Sequence, residues 1–138
     1  MYLKDEAATF AYAQQFASEL KAGDCLALTG DLGAGKSVFA RAIMRALGVE
    51  DEIMPSPTFS LIQSYQGAIH PVAHMDWYRL EGSEEILLAG AQEYLYAPWI
   101  SLIEWPQRAW ELLPAHSQRI HLEYADLLTD RKLTKSHL

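Results

Sequence analysis

The chain has 138 residues, half of them hydrophobic, a single cysteine and a formal net charge of −7 at neutral pH. This length predicts one domain, residues 1–138, that is large enough to bury a core of its own. One thiol excludes an internal disulfide and a cysteine-based metal cluster, and the acidic balance disfavours direct binding to a nucleic-acid backbone.

The chain also lacks the patterns of membrane and secreted proteins. No apolar run approaches the roughly 18 residues that suggest a membrane span. The first residues lack the basic start and long apolar segment of a secretory signal. The lone cysteine, Cys25, lies in an apolar run, which fits a reducing compartment. We therefore expect a cytoplasmic protein that does not bind a membrane.

The first third of the chain predicts a helix, a strand, a glycine-rich segment and a second helix. Residues 5–21 predict an amphipathic helix, because apolar residues recur there at spacings of three and four. The apolar run at 25–28 is typical of a strand buried on both faces of a parallel sheet. The second helix is predicted to begin near Gly35 or Lys36, and Gly48 is predicted to end it.

The remainder of the chain predicts a hairpin, two helices and two further strands. In chain order these are a strand over 59–65, a turn at 66–67, a returning strand over 72–76, a helix over 83–88, a strand over 100–103, a helix over 106–113 and a strand over 118–124. Residues 126–138 are predicted to form a polar, poorly ordered tail.

The glycine-rich segment, residues 30–37 with the sequence GDLGAGKS, matches the phosphate-binding pattern G-x-x-x-x-G-K-[ST] in full. Its glycines allow positive φ angles, so that consecutive N–H groups can surround an anion at a helix N-terminus. Lys36 would contact the β- and γ-phosphates, and the Ser37 hydroxyl would bind Mg²⁺. The predicted nucleotide contacts are Asp31, Leu32, Gly33, Ala34, Gly35, Lys36 and Ser37.

The alternative for this segment is a glycine-rich turn that joins a strand to a helix and binds no ligand. The full match and the flanking elements favour a phosphate site instead. With them, the chain predicts an α/β, P-loop NTPase-like three-layer fold, in which a mixed central sheet is flanked by helices. The expected base is adenine, because the chain contains no Asn-Lys-x-Asp element of the kind that guanine-specific GTPases carry.

Two acids, Asp76 and Glu104, directly follow apolar strand patterns. Phosphoryl transfer needs a carboxylate to hold Mg²⁺ and a group to position the attacking nucleophile. Ligands of open α/β sheets bind at the carboxyl ends of the strands, where both acids are expected. The alternatives are an exposed acid at a strand end for Glu104 and a turn or cap aspartate for Asp76.

Three other residues near these motifs have two interpretations each. Thr58 follows a proline in the loop after the second helix and could sense the γ-phosphate, or the loop could be a rigid turn. His74 is predicted to be a half-buried histidine with satisfied hydrogen bonds and not a catalyst. Trp105, which follows Glu104, is predicted to lie in the core or to shape the pocket or a partner surface.

Four linked motifs resemble the TsaE (YjeE) family, the small bacterial P-loop ATPases of tRNA threonylcarbamoyladenosine synthesis. They lie at residues 30–37, 56–59, 74–80 and 102–106, in the family's order and spacing. The resemblance implies a cytoplasmic, Mg²⁺-dependent ATPase that supports turnover of the TsaB and TsaD transferase. Contact with tRNA is then expected only through that complex.

The resemblance also implies roles for individual residues. Lys36 contacts phosphate, Ser37 and Glu104 bind Mg²⁺, and Asp76 supports hydrolysis, so that Asp76 and Lys36 are the predicted catalytic residues. The segment near Glu6 and Thr9, and Arg131 after the last strand, are implied to approach the nucleotide. The family usually has threonine where Ser37 stands, and serine keeps the hydroxyl.

Two other functions remain open at this point. A small-molecule kinase could use the same scaffold, although it would need an arginine-rich lid to exclude water, and no insertion of that kind is present. A nucleotide-dependent binding module without catalysis would use the phosphate loop but leave Asp76 and Glu104 as structural residues. Hydrolysis by the isolated protein is expected to be slow.

Overall fold

The computed structural model describes residues 2–31, 35–55, 57, 61–124 and 131–137. Within them, the strands are β1 (Tyr2–Leu3), β2 (Cys25–Thr29), β3 (Ile62–Gln66), β4 (Pro71–Asp76), β5 (Ile100–Glu104), β6 (Gln118–Tyr124) and β7 (Arg131–His137). The α-helices are α1 (Glu6–Ala17), α2 (Lys36–Ala46) and α3 (Ser83–Leu88). Short 3-10 helices lie at Ala91–Leu95, Pro106–Arg108 and Trp110–Leu112.

All these strands belong to one mixed sheet in the order β1-β7-β6-β2-β5-β4-β3. The four central strands, β6, β2, β5 and β4, run parallel to one another. Strands β3, β7 and β1 are antiparallel to their neighbours and occupy the two sides of the sheet. The carboxyl ends of the four parallel strands therefore meet at one edge, where open α/β sheets bind their ligands.

Both faces of the central sheet are covered, because β2 and β5 are buried along their whole length. Alternate residues of these strands point to opposite faces. One face carries Leu28 and Leu102 and packs with Phe39 of α2, while the other carries Ile103 and packs with Ile86 of α3. The predicted three-layer α/β fold with a mixed sheet is confirmed.

Helix α2 brings the phosphate-loop lysine and serine to the carboxyl edge of the sheet. It begins at Lys36, directly after Gly35, whose φ of +100° lies in the left-handed region that favours glycine. Phe39 and Ile43 anchor one side of the helix in the core, so its N-terminal turn is fixed next to the end of β2. The helix ends before Gly48, as predicted, and Gly48 has a φ of +91°.

The prediction of a helix over residues 106–113 is wrong. That segment forms two 3-10 helices, which Ala109 separates with a φ of −158° and a ψ of 62°, well outside the helical region. The buried Ala109 packs with the cluster beneath α3, so tertiary packing fixes a backbone conformation that local preference does not foresee.

The predicted poorly ordered tail is also wrong where the structure describes it. Residues 131–137 form β7, which pairs with β6 along its whole length and with β1 at its start. Leu133 is buried in the core, and the polar residues Thr134, Lys135 and Ser136 that follow it are exposed. Residues 125–130 and 138 lie outside the described part of the chain. No helix in the described residues is long and apolar enough to cross a membrane.

Candidate phosphate and metal site

The sheet topology brings four of the predicted site residues together. Strands β4 and β5 end at Asp76 and Glu104, which are register partners in adjacent parallel strands. Glu104 is also the register partner of Leu28, one residue before the end of β2. Strand β2 leads into the phosphate loop, and α2 begins with Lys36 and Ser37. The site therefore forms at the edge of the sheet where the parallel strands have their carboxyl ends.

Glu104 is the centre of a short hydrogen-bond chain. The Ser37 hydroxyl donates to its carboxylate, 3.0 Å from Oε1 and 3.1 Å from Oε2. On the other side, Nε2 of His74 lies 2.6 Å from Glu104 Oε2. The Glu104 side chain is nearly buried, with an exposed fraction of 3% for the residue. Ser37 and Glu104, the two predicted metal ligands, are therefore in direct contact.

Lys36 lies in the same site with only 5% of its surface exposed. Its ammonium group donates to the carbonyl oxygen of Gly30 and lies 4.0 Å above the centre of the Trp105 ring system. Burial lowers the pKa of this ammonium, while the negative charges of Glu104, Asp76 and Asp31 act to raise it. A carbonyl and an aromatic face partly compensate the cation for its lost hydration.

Asp76 presents a second, nearly buried carboxyl group to the site. Its Oδ1 accepts a hydrogen bond from the backbone N–H of Tyr78 at 2.9 Å. Burial raises the pKa of this carboxyl, and the negative charge of Glu104 also raises it. The hydrogen bond from the Tyr78 N–H, together with His74 and Lys36, lowers the same pKa. A carboxylate with a raised pKa at the end of a parallel strand can accept a proton or orient a water molecule.

Aromatic side chains cover this part of the site. Trp105 has a positive φ of 58°, which turns the chain sharply after β5. Its ring packs against Tyr78 in a tilted arrangement with a centroid distance of 4.7 Å, and Arg108 lies 5.6 Å from the Tyr78 ring centre. The side chain of Trp105 therefore lies against Lys36 at the site, in the pocket-shaping position that the sequence offered as one of its two interpretations.

The remaining predicted nucleotide contacts are only partly described. Glu6 and Thr9 of α1 line a cavity of about 60 Å³ together with Gly35, so α1 lies beside the phosphate loop. Asp31 is exposed at the start of that loop. Residues 32–34 and Thr58 lie outside the described residues. The backbone of Arg131 begins β7, and its side chain is outside the described part.

A second cavity, of about 350 Å³, lies on the other side of the loop and was not foreseen from the sequence. Thr29, His121 and Arg119 line part of it, with Thr29 Oγ1 2.8 Å from His121 Nδ1 and 3.4 Å from Arg119 Nε. Arg119 also lies 5.4 Å from the ring centre of Trp110. The available signal was the alternation of β6, which places Arg119 and His121 on one face.

The predicted environment of His74 is wrong in two respects. Its side chain is fully buried rather than half-buried, and Nδ1 has no hydrogen-bond partner among the described residues. The fully buried position depends on the layer that covers the face of the sheet on which His74 lies beside Leu102, and the pattern of β4 alone does not predict that layer.

Comparison with known proteins identifies relatives of this chain. The family profile described as "Threonylcarbamoyl adenosine biosynthesis protein TsaE" matches residues 3–133. A protein of that name from Bacillus subtilis is 39% identical over 117 residues, which are 85% of this chain and 72% of the relative. The Haemophilus influenzae protein of that name is 31% identical over 130 residues, covering 91% of this chain and 82% of the relative.

The fold has a counterpart among solved structures. The crystal structure of Bacillus subtilis YdiB superposes with a TM-score of 0.79 at 30% identity, covering 99% of this chain and 83% of YdiB. The matched range of the family profile, residues 3–133, includes the phosphate loop, both acidic strand ends and part of the C-terminal hairpin. The chain therefore belongs to the TsaE family of threonylcarbamoyladenosine biosynthesis proteins.

Proposed function

We propose that this chain binds ATP with Mg²⁺ and hydrolyses it, as a cytoplasmic accessory subunit of a TsaB and TsaD transferase in tRNA threonylcarbamoyladenosine synthesis. The observation that carries the proposal is the meeting of Lys36, Ser37, Asp76 and Glu104 at the carboxyl edge of four parallel strands. An acidic chain with net charge −7 would reach tRNA through its partners rather than by its own surface.

The donor set fits Mg²⁺ and not a softer metal. Ser37 Oγ and the Glu104 carboxylate are oxygen ligands within hydrogen-bond distance of each other. Among the described residues there is no group of three His, Cys, Asp or Glu side chains that could hold a metal by themselves. Mg²⁺ suits such a site, because it is usually held by one or two carboxylates together with substrate phosphates.

Each of these residues has a separate task in the proposed reaction. Mg²⁺, when bound with the nucleotide, would offset negative charge on the phosphate oxygens. The ammonium of Lys36 moves from the Gly30 carbonyl to the phosphates and stabilises the charge that develops there. Asp76, held by the Tyr78 N–H, orients the attacking water and accepts its proton. Trp105 limits access of bulk water to this side of the site.

Phosphate release by the wild-type chain is the direct test of this proposal. We expect slow release of inorganic phosphate from ATP by the protein alone, dependence on Mg²⁺, and faster release when TsaB and TsaD of the same organism are added. Phosphate is measured in solution, and the remaining label is traced on small molecules. ATP binding without phosphate release under either condition would support a binding module, and label on a metabolite would support a kinase.

A metal-site prediction follows for Glu104. Replacing it by glutamine keeps the size of the side chain but removes the charge. The Mg²⁺ concentration for half-maximal phosphate release should therefore rise at least tenfold. Loss of a residue that only hydrogen-bonds to a metal ligand already lowers metal affinity about 10–100-fold. Nucleotide affinity in EDTA should stay unchanged. The exposed Glu93→Gln variant is the control. An unaltered Mg²⁺ dependence in Glu104→Gln would rule out the metal role.

A further inference from the structure

His74 lies inside β4, two residues before Asp76, and is buried completely. Its register partner on β5 is Leu102, two residues before Glu104. Residues two apart in a strand share a face, so His74 and Asp76 lie on the same side of the sheet. The imidazole therefore sits diagonally behind Glu104, deeper in the sheet than the edge at which phosphates would bind.

The hydrogen-bond pattern of this imidazole identifies the nitrogen that contacts Glu104. Nε2 lies 2.6 Å from Glu104 Oε2, while Nδ1 is buried and has no partner among the described residues. A carboxylate oxygen accepts, so Nε2 carries the hydrogen of this bond and His74 donates to Glu104.

This donor has a specific consequence for Glu104, because it holds the carboxylate from the side opposite Ser37. Both carboxylate oxygens already accept from Ser37, and the bond from His74 to Oε2 fixes the plane of the group. Hydrogen bonds from such outer partners orient metal-ligating groups and are commonly worth about 10–100-fold in metal affinity.

We propose that His74 is a positioning residue, which holds the Glu104 carboxylate in the orientation that binds the metal ion while touching neither nucleotide nor metal itself. This inference rests on the proposed function, because only there is Glu104 a ligand of Mg²⁺. It distinguishes His74 from a packing residue, since the Nε2–H donor, and not the volume of the ring, carries the effect.

The matched pair His74→Gln and His74→Met tests the donor. Both side chains are unbranched and similar in length, and only glutamine can place an amide N–H near the position of Nε2. The measurement is ADP affinity by calorimetry in EDTA and in Mg²⁺, and the ratio of the two affinities gives the contribution of the metal. We expect His74→Met to lower this ratio about tenfold and His74→Gln to retain most of it. ADP affinity in EDTA should match wild type in both.

Several results would overturn the inference. An equal loss of ADP affinity with and without Mg²⁺ in His74→Met would indicate a purely structural role. A glutamine variant as weak as the methionine variant, or a methionine variant equal to wild type, would remove the donor from the explanation. If wild type itself gains no affinity from Mg²⁺, the proposed metal site fails, and the role of His74 fails with it; the wild-type titration alone reveals that case.

A second pair of variants allows the same measurement if His74→Met does not fold. Should His74→Met not fold, His74→Asn replaces it, because its shorter amide reaches the position of Nδ1 and not that of Nε2. The expected order is then Gln above Asn in the Mg²⁺-dependent gain. Circular dichroism and thermal melting verify that each variant is folded, and equal gains in the two amide variants would contradict the inference.

Discussion

Replacing Lys36 by methionine is expected to lower kcat/KM for ATP hydrolysis by about three orders of magnitude. Two charge-assisted hydrogen bonds to phosphate oxygens, at about 1.5–3 kcal/mol each, account for a loss of this size. Methionine keeps the length and the apolar stem of lysine, so contact with the Trp105 ring is retained while the charge is removed. The measurement is steady-state phosphate release over a range of ATP concentrations.

The same variant should make the nucleotide-free protein more stable. Burial lowers the pKa of Lys36 in the folded state, so the charged ammonium costs folding free energy at neutral pH. The cost is present below the folded-state pKa and is relieved as the pH rises from there towards the ordinary lysine value of 10.5. We therefore expect Lys36→Met to melt at a higher temperature than wild type at pH 7.5, with a smaller difference near pH 10.

Lower activity together with higher stability would identify Lys36 as a residue whose buried charge serves activity at the expense of stability. Such a trade-off between stability and activity is common at functional sites. The control is Lys4→Met, which alters an exposed lysine and should leave both quantities unchanged. Wild-type turnover in Lys36→Met would remove this lysine from the proposed chemistry. A lower melting temperature at neutral pH would show that its contacts with Gly30 and Trp105 outweigh the cost of burial.

The parts of the site that could be predicted from the sequence depend on local patterns. The segment 30–37 carries its own chemistry, and Glu104 ends a short, mostly apolar run that is typical of a buried strand. Asp76 follows a similar run. Because parallel strands end at one edge, the sequence alone was sufficient to expect that these acids would lie near Lys36.

The parts that could not be predicted depend on contacts between distant segments. The pairing of His74 with Glu104 requires the register of β4 against β5, which no local pattern encodes. Strand β7 is polar along most of its length and becomes a strand through its pairing with β6. The left-handed backbone at Trp105, a non-glycine residue, is likewise imposed by the surrounding packing and places the indole over Lys36.

Replacing Asp76 by asparagine is expected to lower the rate of phosphate release by about 10²–10⁴-fold, the range associated with a general base. Asparagine keeps the shape of the side chain and can still accept the Tyr78 N–H through its amide oxygen, so the loss reports the charge and not the packing. In wild type, activity should fall as the pH drops through the pKa of Asp76, which burial raises above the ordinary value of 3.8. The variant should lack this acidic limb.

The stability of the same variant provides an independent measurement of the burial of Asp76. Because the folded-state pKa is raised, the ionised carboxylate costs stability above that pKa, and the cost disappears as the pH falls towards 3.8. Urea unfolding of the nucleotide-free protein should therefore show Asp76→Asn to be more stable than wild type at pH 7.5, with a difference that shrinks in acid. Asp51→Asn, at an exposed aspartate, should show neither effect. A carboxylate whose removal costs activity and gains stability is held in the fold for its chemistry, and loss of both would assign Asp76 to structure instead.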